Sequence, residues 1–254
     1  MTFGVSWGDC DGLLTTEENG LPSNQQGLLL QAETLRPRSA HLGDCEIEIH
    51  HDIDGPIQGF GKRLWLHVSE RHALTQTLLT DKNSQITAIV YRDRYLFTPL
   101  SVALLATLIA SLRDVVGDER WDSTGCRVIT TNRRSGSPNN VRNMVWSDWL
   151  DTTIRDQVLV ATFSYLGIDA LVSPSTSAQT GHSRSVEVDW SCGKKLALRL
   201  DQGVSYWRAA QRSRTGNYFN LNERDLNLQG RRLAELSTRV EGAELPTQLF
   251  VKVR

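Results

Sequence analysis

Ile86-Thr87-Ala88-Ile89-Val90-Tyr91, then Pro99 and Ser101 opening the apolar run Val102–Val116, decides how this chain folds. The first stretch is rich in β-branched and aromatic residues and reads as a strand. The second has a proline at its start and no breaker inside, as a buried helix does. The unit then repeats. Cys126-Arg127-Val128-Ile129-Thr130-Thr131 is a second strand, Trp146–Leu166 a helix with Ser147 or Asp148 as N-cap, and Ile168–Val172 a third strand. Strands alternating with helices predict an α/β fold with a mixed, largely parallel sheet covered by helices on both faces.

Working outward, Ser185–Trp190 and Lys195–Leu200 read as a hairpin closed by Ser191-Cys192-Gly193-Lys194. A helix is expected over 223–240 and a last strand over 248–253. On the N-terminal side, Gln58–Leu79 has helical spacing, and Cys45–His50 alternates with period two. Asp54-Gly55-Pro56 is a loop signal. The organisation predicted is an acidic, partly ordered leader over 1–57 and an α/β domain over 58–254.

Charge supports that division. The chain has 28 basic and 29 acidic residues. Ten of the acids but only Arg36 and Arg38 of the bases fall within 1–59, so this part carries −8 and the remainder +7. A basic body fits a phosphate-rich partner. The four cysteines, at positions 10, 45, 126 and 192, form no C-x-x-C pair, which argues against a zinc ribbon. No metal or other cofactor is expected. The sequence after Met1 lacks the basic and apolar regions of an export signal, and Val102–Leu112 is too short for a bilayer, so a cytoplasmic protein without membrane contact is expected.

Gly181-His182-Ser183-Arg184-Ser185-Val186-Glu187-Val188-Asp189 carries the most specific chemistry. Histidine, a cation two residues on and aspartate five further is the spacing of a phosphodiesterase half-site, with arginine in the place of lysine. In such a site His182 would attack phosphorus, while Arg184 and Asp189 hold charge and tautomer. Two facing copies are needed, one histidine attacking and one protonating the leaving oxygen. This chain has one copy, so hydrolysis would require a symmetric dimer. Arginine and lysine also coordinate phosphate differently. The bland alternative is a histidine hydrogen-bonded in a turn.

Basic loops flank this motif. Asn132-Arg133-Arg134-Ser135-Gly136-Ser137-Pro138-Asn139-Asn140-Val141-Arg142 has no acidic residue and follows the second strand, where open α/β sheets form their ligand crevice. Arg92, Asp93 and Arg94 end the preceding strand. Convergence of these loops would let Arg92, Arg94, Arg133, Arg134, Arg142 and Arg184 grip phosphates. Asp93 is read as an ion-pair partner that orders Arg94 or Arg184. Tyr206-Trp207-Arg208, Arg212, Arg214, Tyr218 and Phe219 interleave cations with aromatics, which suits single-stranded nucleic acid. Tyr206 and Trp207 are assigned to the core, and Arg212 and Arg214 to the surface.

Together with Leu-Arg-Leu-Asp-Gln-Gly-Val-Ser-Tyr-Trp (198–207), the histidine motif resembles the C-terminal domain of MIT-domain proteins, a phospholipase D-like fold without the lipase chemistry. With Tyr91-Arg92-Asp93-Arg94-Tyr95-Leu96, and from Gly59-Phe60-Gly61-Lys62-Arg63-Leu64-Trp65 to Pro246–Val251, residues 58–254 are similar to a C-terminal module of large prokaryotic DEAD/DEAH-box helicases of antiphage defence. No Walker A motif or Asp-Glu-x-Asp/His box is present, so the chain itself is not the motor. The resemblance implies a non-catalytic, phospholipase D-like accessory domain. Its implied partners are nucleic acid, DNA ahead of RNA, and a helicase or other defence subunit. A dimeric, metal-independent nuclease and a purely structural assembly module are the alternatives.

Overall fold

The computed structural model describes residues 2–7, 10–15, 44–121, 125–131, 149, 151–175, 184–210 and 223–254. The chain divides into two compact units, Met1–Ala40 and His41–Arg254. In the first, β1 (Thr2–Trp7) pairs antiparallel with β2 (Cys10–Thr15), with Thr2 opposite Thr15 and Trp7 opposite Cys10.

The second unit is built on a seven-stranded sheet. Its elements run β3 (Cys45–Ile49), β4 (Gly55–Pro56), α1 (Phe60–Arg71), α2 (Ala73–Thr80), β5 (Ile86–Arg92), α3 (Pro99–Val116) and β6 (Cys126–Thr131). There follow α4 (Thr152–Tyr165), β7 (Ala170–Ser175), β8 (Arg184–Trp190), β9 (Lys195–Leu200), β10 (Arg208–Ala209), α5 (Leu226–Ala234), β11 (Arg239–Glu241) and β12 (Thr247–Val253). The sheet order is β3-β12-β9-β8-β5-β6-β7. β5, β6 and β7 are parallel, each joined to the next through a helix; the other four pairings are antiparallel. The mixed α/β class is as the sequence predicts, but the sheet is mostly antiparallel. Between β8 and β9 the chain makes only a hairpin turn, and a parallel pair needs a longer crossover.

One face of the sheet is packed. Ile89, Tyr91, Val128, Val186, Val188, Leu196, Leu198, Leu249 and Val251 are buried, while the residues between them are half-buried or exposed. Among the described residues the expected helical cover on both faces is therefore not found. Alternate positions carry Arg92, Arg127, Glu187, Asp189, Lys195 and Arg199, the pattern of a sheet with one wet face.

The centre of the packed layer is α3. Thr98 and Ser101 form a reciprocal capping box with Pro99 at the first helical position, and thirteen of its residues are buried. The helix is long and apolar enough, by length and composition, to cross a membrane, but 72% of it is buried inside the fold, as in a core helix. Against it α1 comes close: a methyl at Gly61 would stand 2.5 Å from the Thr107 carbonyl, and the Trp65 indole donates to Leu108 O at 2.9 Å.

The expected helix over 58–79 is broken at His72. Its backbone is extended (φ −138°, ψ 103°), and its Nδ1 accepts from the Thr75 amide as the cap of α2. The expected helix over 146–166 begins later, at Thr152. Asp151, rather than Ser147 or Asp148, is the cap, its Oδ1 accepting from Thr153 N at 2.8 Å. The last helix stops at Ala234, and β11 follows.

The division expected after residue 57 differs from the contact boundary. β3 is the outer strand of the main sheet, with Ile49 opposite Thr247 and Cys45 opposite Val251. β4 pairs with β11, which in turn pairs with β10. Residues 45–56 thus need the C-terminal strands as partners, information that a local composition shift does not carry.

Candidate nucleic-acid interface

Residues Arg92, Ile129 and Ser173 share one register row across β5, β6 and β7, and Ser185 and Arg199 extend it across β8 and β9. The rim of the sheet lies just beyond that row. Here the chain leaves β5 through Asp93, whose amide continues the ladder to Ile129 O at 3.1 Å. The Asp93 carboxylate is buried and turns the backbone: Oδ1 accepts from the Tyr95 amide and Oδ2 from the Tyr91 hydroxyl, both at 2.8 Å. Such a local carboxylate-to-amide bond replaces a backbone turn contact.

The rim is fastened from the β6 side. Thr131 Oγ1 donates to Arg94 O at 2.8 Å. Arg155, in the first turn of α4 and fully buried, donates from Nη1 to Thr131 O at 3.1 Å and Leu96 O at 3.4 Å. Its other edge is neutralised by Asp156 Oδ1 at 2.6 Å. A planar fork is the side chain that can tie two carbonyls and a carboxylate at once.

Arg184 arrives from the start of β8. Its Nε lies 3.6 Å from Asp93 Oδ1, and its Nη1 donates to the Asp201 carbonyl beyond β9. Its guanidinium carbon is 4.7 Å from the Tyr95 ring centroid, and that of Arg94 is 5.1 Å away. Gly203 leaves room for this arrangement. Its φ is +64°, and a methyl there would collide with Arg184 Cδ and stand 2.7 Å from Asp93 Oδ2. Burial raises the Asp93 carboxyl above its usual range, opposed by the bonds from Tyr95 and Tyr91 and by the charge of Arg184. Burial, then the Asp93 charge, drives the Tyr91 phenol well above its ordinary value.

A family profile described as DEAD/DEAH box helicase YjiV, C-terminal domain, matches residues 43–253. The chain belongs to that family. No curated protein and no solved structure matched it. The YjiV C-terminal domain match begins just before β3 and ends with the last residue of β12, so it spans the sheet-bearing unit. This gives a helicase-associated accessory domain, as the sequence resemblance implied.

In this YjiV-type domain the expected arginines do not all meet. Arg94 and Arg184 come together at Tyr95. Arg92 projects on the wet face, where its Nη1 donates to Glu187 Oε1 at 2.5 Å. His182, Arg133, Arg134, Arg142, Arg212 and Arg214 lie outside the described residues. Thr131 and Ser175, the residues before 132–148 and 176–183, are register partners at the rim, and Arg184 resumes there.

Arg184 and Asp189, the other two members of the half-site, stand apart. Five residues of strand separate them by roughly 16 Å. Arg184 lies on the helix-covered face, whereas Asp189 pairs with Lys195 Nζ at 3.1 Å on the other. Tyr206 and Trp207 are buried, as expected. Among the described residues no group of three or more histidine, cysteine or acidic side chains is arranged to hold a metal. Sequence reasoning missed Arg155, because one arginine in a helix gives no local sign that it will be buried.

Proposed function

We propose that this chain is the non-hydrolytic accessory domain through which a DEAD/DEAH-box helicase of antiphage defence holds nucleic-acid phosphates, DNA ahead of RNA, in the cytoplasm. The observation that carries this reading is the cationic rim at Arg94 and Arg184. The latter is already oriented by Asp93 and the Asp201 carbonyl, so little side-chain freedom is lost on gripping an anion. The sequence adjoining this rim supplies Arg133, Arg134 and Arg142. Kinship to phospholipase D-like domains is part of the proposal and rests on the Gly-His-Ser-Arg and Leu-Asp-Gln-Gly elements.

Fluorescence anisotropy of the full chain with labelled DNA tests the proposal. Log affinity should fall linearly with log salt, and Arg133→Ala with Arg134→Ala should weaken binding and flatten that slope. Binding indifferent to both would sink it. Co-purification with a helicase, without any DNA shift, would instead mark the chain as an assembly module.

A further inference from the structure

We infer that Tyr95 is a stacking platform for one unpaired base, so that the ligand of this rim is single-stranded nucleic acid. The inference rests on the phosphate-binding reading above and deepens it.

Of the aromatics that the sequence offered for stacking, Tyr206 and Trp207 are spent in the core, and Tyr218 and Phe219 lie outside the described residues. Trp207 packs edge-on against Phe60 with ring centroids 4.8 Å apart. Tyr95 is different. It is 37% exposed, although it sits on the rim and its backbone is pinned by Asp93. Its neighbour Phe97 meets it edge-on, with centroids 6.5 Å apart and planes at 88°, which fixes the ring's setting from one side. Two guanidinium groups lie within 6 Å of the ring. Arg94 has no acidic partner among the described residues, and Arg184 Nη2 has no hydrogen-bond partner among them. A pinned, partly exposed aromatic beside one cation without an acidic partner, Arg94, and a second held in place by Asp93, Arg184, is what a single strand uses: a base against the π system, its neighbouring phosphates on the arginines. In a duplex the bases are stacked on one another, and only their edges and the phosphates are presented.

The experiment compares labelled oligo(dT) with a duplex of equal length, on the full chain. Tyr95→Ala is expected to weaken oligo(dT) binding about 5- to 150-fold, the range for loss of one stacked base. Tyr95→Phe, which keeps the ring, is expected to restore it, and duplex binding should be unaffected by either. Oligo(dT) carrying 5-iododeoxyuridine should photo-crosslink the unaltered chain at Tyr95, a readout that does not depend on how well a variant folds. Oligo(dT) binding that survives Tyr95→Ala but is lost with Arg133→Ala and Arg134→Ala overturns stacking and leaves phosphate binding standing. Crosslinking confined to other residues overturns stacking as well. Absence of binding to either probe overturns both readings.

Discussion

Arg92 and Glu187 close an ion pair across β5 and β8, on the opposite side of the sheet from the ion pair of Arg184 with Asp93. Arg92 and Arg94 are two residues apart in sequence, yet only Arg94 lies at Tyr95. Arg92→Ala should therefore leave DNA affinity within experimental error. Arg94→Ala should lower it and reduce the salt slope by about one phosphate contact. Because Arg92 and Glu187 are each partly exposed, the stability cost of Arg92→Ala is expected to stay under about 1 kcal/mol. Anisotropy titrations at several salt concentrations, with urea melts alongside, check both statements.

Tyr91→Phe removes a single oxygen from the core and leaves Asp93 Oδ2 without its donor. That carboxylate is already disfavoured by burial, and Tyr91 and the Tyr95 amide are its hydrogen-bond donors among the described residues. The expected loss is about 1.5–3 kcal/mol, as for hydrogen bonds to charged groups. Urea denaturation measures it. A loss near zero would mean that Asp93 is held neutral, or that Arg184 moves in to replace the phenol.

The strands of the main sheet were legible because β-branched runs and turn signals are local, whereas β1, β2, β4, β10 and β11 were not read. Val186, Val188 and Trp190 alternate with Ser185, Glu187 and Asp189, and Gly193 sits in the hairpin at φ +81° as its sequence asked. Pairing was less legible. Nothing near Cys45–Ile49 announces that its partner is Thr247–Val253, some two hundred residues on. The site was read in part for the same reason. Arg94, Asp93 and Arg184 stood out as charges beside strand ends, and of the two partners anticipated for Asp93, Arg94 and Arg184, it is Arg184 that pairs with it. The facing of Arg92 was missed because it depends on pleat parity at the last residue of β5. Arg155 was missed because its acceptors, Thr131 O and Leu96 O, come from two other segments.

Gly203→Ala should be far more damaging than Gly193→Ala, although both glycines have positive φ. At Gly193 a methyl meets nothing within 4 Å, so the cost is conformational, about 1–2 kcal/mol. At Gly203 the backbone (φ +64°, ψ −167°) is in a region almost reserved for glycine, and the methyl would also collide with Arg184 and Asp93. An added loss of about 1–3 kcal/mol is expected from strain and overpacking. Nucleic-acid affinity should fall with it, because Arg184 must leave its seat. Thermal melts and anisotropy on the two variants separate these effects; equal behaviour of the pair would show that the Arg184 seat is not rigid.

Acid should weaken the fold through His67, which is buried on α1 with its Nε2 unpaired among the described residues. Burial, then the nearby charge of Arg71, lowers its pKa below the usual value, against a smaller pull from Asp52 and Glu70. The folded state therefore binds a proton less readily than the unfolded chain. Its contribution is complete above the unfolded pKa of about 6.5 and is lost as pH falls through the lower folded value. Asp93 acts in the opposite sense: its raised pKa favours the protonated folded form, so its unfavourable burial is relieved on acidification well below neutrality. Between pH 7.5 and 5.5, urea melts should thus show wild type losing more stability than His67→Gln, which keeps a polar side chain that cannot titrate. Parallel losses in the two proteins would show that the imidazole takes up its proton without leaving the core.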